Sequence, residues 1–126
     1  MKQSEKDLLQ KLRTTFRSEA PIKLRMVRRL LYEAFKKNTI EGKADLLREL
    51  HNLKGISRIA SMSAIQSLCE SSERILRSQD FPPTSEIYEA VMETLQVIEE
   101  LLPDDDNQSN QCLALRTKLE QLVKTT

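Results

Sequence analysis

The sequence predicts an all-α protein, an antiparallel up-down four-helix bundle with additional N-terminal and C-terminal helices. Aromatic residues make up 4% of the chain and glycine occurs twice, which disfavours strand-rich and turn-rich architectures. Long stretches are composed of Leu, Glu, Lys, Arg and Ser, residues that tolerate or favour helix. Within them apolar positions recur every three or four residues, the spacing of one helical face. With 126 residues, no internal repeat and no long linker, one domain over 1–126 is expected, its core bundle about 20–102 and its flanking helices about 4–17 and 110–124.

The elements follow in order. A short amphipathic helix is expected from about Ser4 to Phe16, with Leu8, Leu9, Leu12 and Phe16 on one face, lying over an end of the bundle. Pro21 suits the first turn of a second helix that reaches Lys37, with Val27, Leu30, Leu31, Ala34 and Phe35 as core candidates. Asn38 and Thr39 supply stop and start signals for a third helix, from about Ile40 to Ala60. The next, about Ser63 to Arg77, places Ile65, Leu68, Cys69, Ser72, Ile75 and Leu76 inward. Phe81-Pro82-Pro83 ends that region, since neither proline continues a helix. Thr84 is a candidate cap for a helix running to about Leu102, with Ile87, Val91, Leu95 and Ile98 facing inward. An acidic, breaker-rich loop, Pro103-Asp104-Asp105-Asp106-Asn107, precedes a last helix from about Asn110 to Lys124. Its stripe of Cys112, Leu115, Leu119 and Leu122 reads as core or, alternatively, as an interface between copies, although a monomer is expected.

The net charge of +1 conceals a strong asymmetry. Residues 1–60 carry 15 Lys/Arg against 7 Asp/Glu, and residues 61–126 carry 5 against 12. This pattern suits helices of opposite charge packed side by side; the other reading, an acidic or nucleic-acid partner for the basic half, lacks a helix-turn-helix or aromatic-plus-basic platform. No secretory leader, membrane-spanning run or lipidation motif is readable, so a soluble cytoplasmic protein without a membrane partner is expected. Cys69 and Cys112 lack metal-ligand or redox spacing, and both are expected as free thiols.

The candidate site centres on the only histidine. On the third helix His51, Lys54, Gly55 and Arg58 fall at offsets of three, four and seven, one face, while Leu46, Leu50, Leu53 and Ala60 form a core stripe on another. His51 should therefore face solvent. A mid-helix glycine costs roughly 1 kcal/mol relative to Ala, and Gly55 removes a side chain that would stand over the imidazole. If the third and fourth helices turn near Ser61, His51 lies ten residues before the turn and Glu73 twelve after it. At ~1.5 Å per residue the two stand nearly level, about 15 and 18 Å from the turn, so the carboxylate could reach the ring. A carboxylate accepting from Nδ1–H fixes the neutral tautomer with Nε2 bare, the form needed to attack phosphorus. Lys54 could then offset charge on bound phosphoryl oxygens.

The stretch His51-Asn52-Leu53-Lys54-Gly55, followed by Ile65, Leu68 and Glu73, resembles the signature of histidine-containing phosphotransfer (HPt) domains. In that family the histidine is followed by an apolar residue at +2, Lys at +3, Gly at +4, apolar positions at +14 and +17, and often Glu or Gln near +22. Two positions depart from the pattern: Ser61 stands where the family commonly has Gly, and Ile56 where a small residue is usual. The resemblance implies a phosphocarrier without autonomous kinase activity, with His51 as phosphoacceptor, Lys54 and Glu73 beside it, and Leu47, Gly55 and Arg58 as docking residues. It implies receiver domains of response regulators or a hybrid histidine kinase as partners. No metal site or cofactor is expected on this chain, since it has no Gly-rich phosphate loop and no clustered carboxylates; Mg²⁺ would belong to the partner receiver. A helical adaptor that docks signalling partners without being phosphorylated is the alternative, and a His-Cys hydrolase is disfavoured because nothing places Cys69 beside His51.

Overall fold

The computed structural model describes residues 2–37, 40–79, 83–103 and 110–125. Five helices account for nearly all of them: α1 (Gln3–Lys37), α2 (Ile40–Ile59), α3 (Ser63–Ser78), α4 (Ser85–Leu101) and α5 (Asn110–Thr125). The all-α class holds. Helices α1 to α4 close a ring in which each packs on the next and α4 packs back on α1, while α5 lies across α3 and α4. One buried apolar cluster draws on all five helices.

The first two expected helices are one. α1 runs unbroken for 35 residues with Pro21 inside it, so neither a separate helix over Ser4 to Phe16 nor a start at Pro21 is present. A proline within a helix removes one hydrogen bond and costs about 3 kcal/mol. Against that cost stands a single buried stripe, Phe16, Ala20, Leu24, Val27, Leu31 and Ala34, which stays in phase across Pro21 only if the helix is continuous. Burying each large member stabilises by roughly 1.5–3 kcal/mol, so the stripe outweighs the proline. Leu30 and Phe35 are half-buried at the rim, where Phe35 stacks on Tyr88 with ring centroids 4.4 Å apart. Leu8 is largely exposed.

The N-terminal half of α1 does cover one end of the bundle, through two arginines. Arg13 donates from Nε to the Ala60 carbonyl (3.1 Å) and from Nη2 to that of Ser61 (3.3 Å), and Arg17 Nε donates to the Leu102 carbonyl at 2.9 Å. Guanidinium groups thus meet the C-terminal carbonyls of α2 and α4, where orphan acceptors and the negative dipole end favour cations. The basic α1 also packs on the acidic α4, joined by an Arg28–Glu99 ion pair of 2.7 Å, as the charge asymmetry suggested.

The turn between α2 and α3 falls at Ser61, as expected. Met62 N–H donates to the Ser57 carbonyl (2.8 Å) and Ser61 N–H to that of Arg58 (3.0 Å), the two bonds of a Schellman motif. This closure needs a left-handed residue, and Ser61 adopts it with φ 55°. Thr84 caps α4 by accepting from Ile87 N–H at 3.2 Å. In α5 the stripe Cys112, Leu115, Leu119 and Leu122 is buried within the chain, which accounts for it as core. The Asn38-Thr39 signals, Phe81-Pro82 and Asp104 to Asn107 lie outside the described residues.

A non-glycine residue in the left-handed region carries a cost of roughly 1–2 kcal/mol that glycine avoids, offset in part by the larger unfolded-state entropy of glycine. Ser61→Gly is therefore expected to stabilise the protein by about 0.5–1 kcal/mol. Urea melts check this; equal or lower stability of the variant would show that the turn carries no strain.

Candidate functional site

Leu50 and Leu53 take the inward positions of α2 and are fully buried, which turns His51 outward. Its side chain is 60% exposed. On α3, the buried run Leu68, Cys69, Ser72 and Leu76 brings Glu73 to the α2–α3 seam, where it is buried at 5% exposure. The Ser61 turn sets the register, and the expected level pairing is realised: Glu73 Oε1 lies 3.2 Å from His51 Nδ1.

Glu73 is met by cations from two helices. Arg77, one turn on in α3, donates from Nη2 to the same Oε1 at 2.8 Å. Lys54 Nζ stands 3.3 Å from Oε2 as an ion pair; Oε2 is buried and accepts no aligned hydrogen bond, so the charge of Lys54 holds it. Burial works to raise the Glu73 pKa, but the Lys54 ammonium, the His51 contact and the Arg77 guanidinium outweigh it and hold the carboxyl below the usual range. Glu73 is then an acceptor only, so His51 Nδ1 carries the proton in this contact and the neutral ring has Nε2 bare.

Lys54 is thus engaged with Glu73 rather than standing free beside the ring. Arg58 is exposed and forms no ion pair among the described residues. Leu47 is half-buried against the core, one turn before His51. At Gly55 an added Cβ would meet no atom within 4 Å, so no neighbouring helix requires the glycine and the space above it is open. The buried Cys69 thiol is pushed up to about 12, by burial first and by Glu73 second, against a smaller opposing effect of Lys54. It stays protonated and is no partner nucleophile for His51. Among the described residues no three His, Cys, Asp or Glu side chains group closely enough to hold a metal ion.

Two features escaped the sequence reading. Arg77 was discoverable as an i, i+4 partner of Glu73. Ile59, one turn beyond Gly55, is 63% exposed and borders a shallow apolar groove with Leu12, Phe16 and Ile56. Ile56 therefore packs toward α1 rather than beneath the imidazole, so its bulk at a usually small position does not crowd the site.

The depressed Glu73 pKa gives a pH dependence with a definite sign. A carboxylate whose folded value lies below its unfolded one, near 4.3, adds stability that is present above the unfolded value and is lost as pH falls through the folded one. The stability difference between wild type and Glu73→Gln is therefore expected to shrink as pH is lowered from about 5 to about 2. Urea melts across that range measure it, and a difference that stays flat or grows would show that the cations do not hold the carboxylate.

A family model described as Hpt domain matches residues 11–124 of the chain. Neither the search of curated proteins nor that of solved structures found a match. The matched span contains the whole constellation of His51, Lys54, Gly55 and Glu73, and the helical bundle that positions them is the architecture such domains use. The chain belongs to the Hpt domain family, whose members serve histidine phosphotransfer in two-component signalling and interact there with receiver domains and histidine kinases.

Proposed function

We propose that this protein carries a phosphoryl group on His51, taking it from a histidine kinase or a receiver-domain aspartate and passing it to another receiver. The observation that carries the reading is the Glu73 contact, which fixes the proton of an exposed imidazole on Nδ1. Nε2 attacks phosphorus, the N–P bond forms, and the bond from phosphorus to the donor's oxygen or nitrogen breaks. Positive charge developing on the ring is met by Glu73 through the Nδ1–H bond. Lys54 and Arg77 keep that carboxylate ionised and in place, and Lys54, a flexible ammonium one turn along α2 from His51, is the cation that shares its charge with the phosphoryl oxygens. The reverse step returns the group to an aspartate.

The chain acts as a carrier, with Mg²⁺ and the charge clamps of phosphoryl transfer supplied by the partner receiver. Docking uses the open surface at Gly55, with Arg58 beside it, Leu47 one turn before His51 and Ile59 as an exposed apolar anchor. No helix among the described residues is long and apolar enough to cross a membrane, which fits action in the cytoplasm.

Incubation with a phosphorylated receiver is expected to place acid-labile, base-stable phosphate on wild type and none on His51→Gln. Equal labelling of both proteins would sink the assignment. Glu73→Ala and Lys54→Ala are expected to remain helical and cooperative and to transfer ten- to a hundredfold more slowly, the effect of losing a charged contact of roughly 1.5–3 kcal/mol in the transition state. Rapid-quench kinetics within twofold of wild type for both would remove them from the site.

Gly55→Gln separates docking from folding. The open space at this position means that helix propensity alone decides stability, so the variant is expected to gain roughly 0.5–1 kcal/mol. The added side chain stands where a receiver approaches, so receiver binding and transfer are expected to weaken. Thermal melts and receiver titrations on one preparation test both halves, and a variant that transfers normally would take Gly55 out of the docking surface.

A further inference from the structure

The outer face of α1 is left uncovered by the bundle. Its inner stripe, from Phe16 to Ala34, is buried, and among the helices α1 packs only on α2 and α4. On the opposite side Ile22, Arg25, Met26, Arg29, Tyr32 and Lys36 recur at spacings of one, three and four, a continuous helical stripe about 21 Å long. Ile22 is 60% exposed, Tyr32 51% and Met26 37%. Ile22, Arg25, Met26 and Arg29 line a shallow trough, and Lys36 Nζ lies 5.9 Å from the Tyr32 ring centroid. Whereas the neighbouring Arg28 is paired with Glu99, Arg25 and Arg29 form no ion pair among the described residues.

The chemistry of the stripe selects its occupant. Arg, Met and Tyr are the residues enriched at protein interfaces, and exposed cations flanking apolar side chains call for an acidic, partly apolar surface. The rod-like shape and helical repeat fit another helix laid along it. A membrane is a poorer match, because the main apolar face of α1 is committed to the core and only three side chains could enter lipid. Nucleic acid is poorer too, since Ile22 and Met26 interrupt the cationic line that phosphates would follow. A second copy of this chain offers the acidic α4, but two of its five glutamates are occupied by Arg28 and Lys118, and its apolar stripe of Ile87, Val91, Leu95 and Ile98 is buried in its own core, so it has no apolar face to lay on Ile22 and Met26. We infer that the outer face of α1 docks an acidic amphipathic helix of a second protein, on a surface separate from His51, so that the chain is held while its histidine stays open to a receiver.

The test uses the full chain and a synthetic helical peptide of about 16 residues with a Leu stripe flanked by Glu, beside a control with Gln for Glu. NMR titrations are run at about 50 mM and about 200 mM salt. The Glu peptide is expected to shift amides between Ile22 and Lys36 and to bind more weakly at high salt. Arg25→Glu combined with Arg29→Glu is expected to weaken it about tenfold or more while His51 phosphorylation by a receiver keeps its wild-type rate. Absence of α1 shifts, equal binding of the Gln peptide, or altered phosphorylation in the double variant overturns the inference. So does binding to phosphatidylserine vesicles in place of the peptide, or self-association in sedimentation that the double variant abolishes.

Discussion

A carboxylate buried at a helix seam must be met by cations, and the geometry around His51 follows from how Glu73 is met. Desolvating an ionised group costs several kcal/mol unless charges and hydrogen bonds replace water. Here α2 supplies Lys54 and His51 and α3 supplies Arg77, all within 3.3 Å of the Glu73 oxygens. The requirement constrains the backbone as well as the side chains. A slip of α2 against α3 by one turn, about 5.4 Å, would break both inter-helix contacts and strand the carboxylate. The Schellman closure at Ser61 sets the same register from the end of the hairpin. Turn and charge cluster are therefore two constraints on one quantity, the height of Glu73 relative to the imidazole.

The remainder of the molecule holds that hairpin still. Leu50, Leu53, Leu68, Cys69 and Leu76 form a fully buried floor under the seam, so the imidazole cannot turn inward without displacing packed side chains. Arg13 and Arg17 tie α1 to the C-terminal ends of α2 and α4 through backbone carbonyls, and α5 closes the side formed by α3 and α4. Three of the arginines of α1 are thereby engaged at helix ends and with Glu99, whereas Arg25 and Arg29, on its outer face, form no ion pair among the described residues.

What could be read from the sequence was what depends on local spacing. The outward face of His51, the inward stripe of α3, the Thr84 cap and the turn near Ser61 each follow from three- and four-residue periodicity or from a single capping residue. The height of Glu73 followed by counting from that turn. Pro21 reads locally as a helix start, whereas the buried stripe on both sides of it holds α1 in one piece, a case in which tertiary burial overrides propensity. The contacts of Arg13 with Ala60 and Arg17 with Leu102 join residues far apart in sequence, and no periodicity reports them. Arg77 lay within reach of an i, i+4 rule, yet Arg74 and Glu70 satisfy the same rule on the exposed face of α3. Spacing alone did not distinguish the pair that matters from the solvated one.

The sharing of Glu73 bears on what a carrier requires. A carboxylate devoted to His51 alone would follow its state, drawn in by a charged ring and released by a neutral one. Lys54 and Arg77 contact Glu73 independently of the ring and hold its carboxyl ionised and in position. In the proposed transfer, the proton on Nδ1 is then in place before a donor arrives, and the site need not reorganise when the phosphoryl group leaves. The same sharing divides the field of the carboxylate among three partners and limits how strongly it stabilises a charged, phosphorylated ring. A group that must be passed on gains nothing from a deep well at the intermediate, because every contact that favours the phosphorylated state alone slows the next transfer. A carboxylate fixed by other cations therefore suits the role proposed for His51, in which the phosphoryl group is given up as readily as it is accepted.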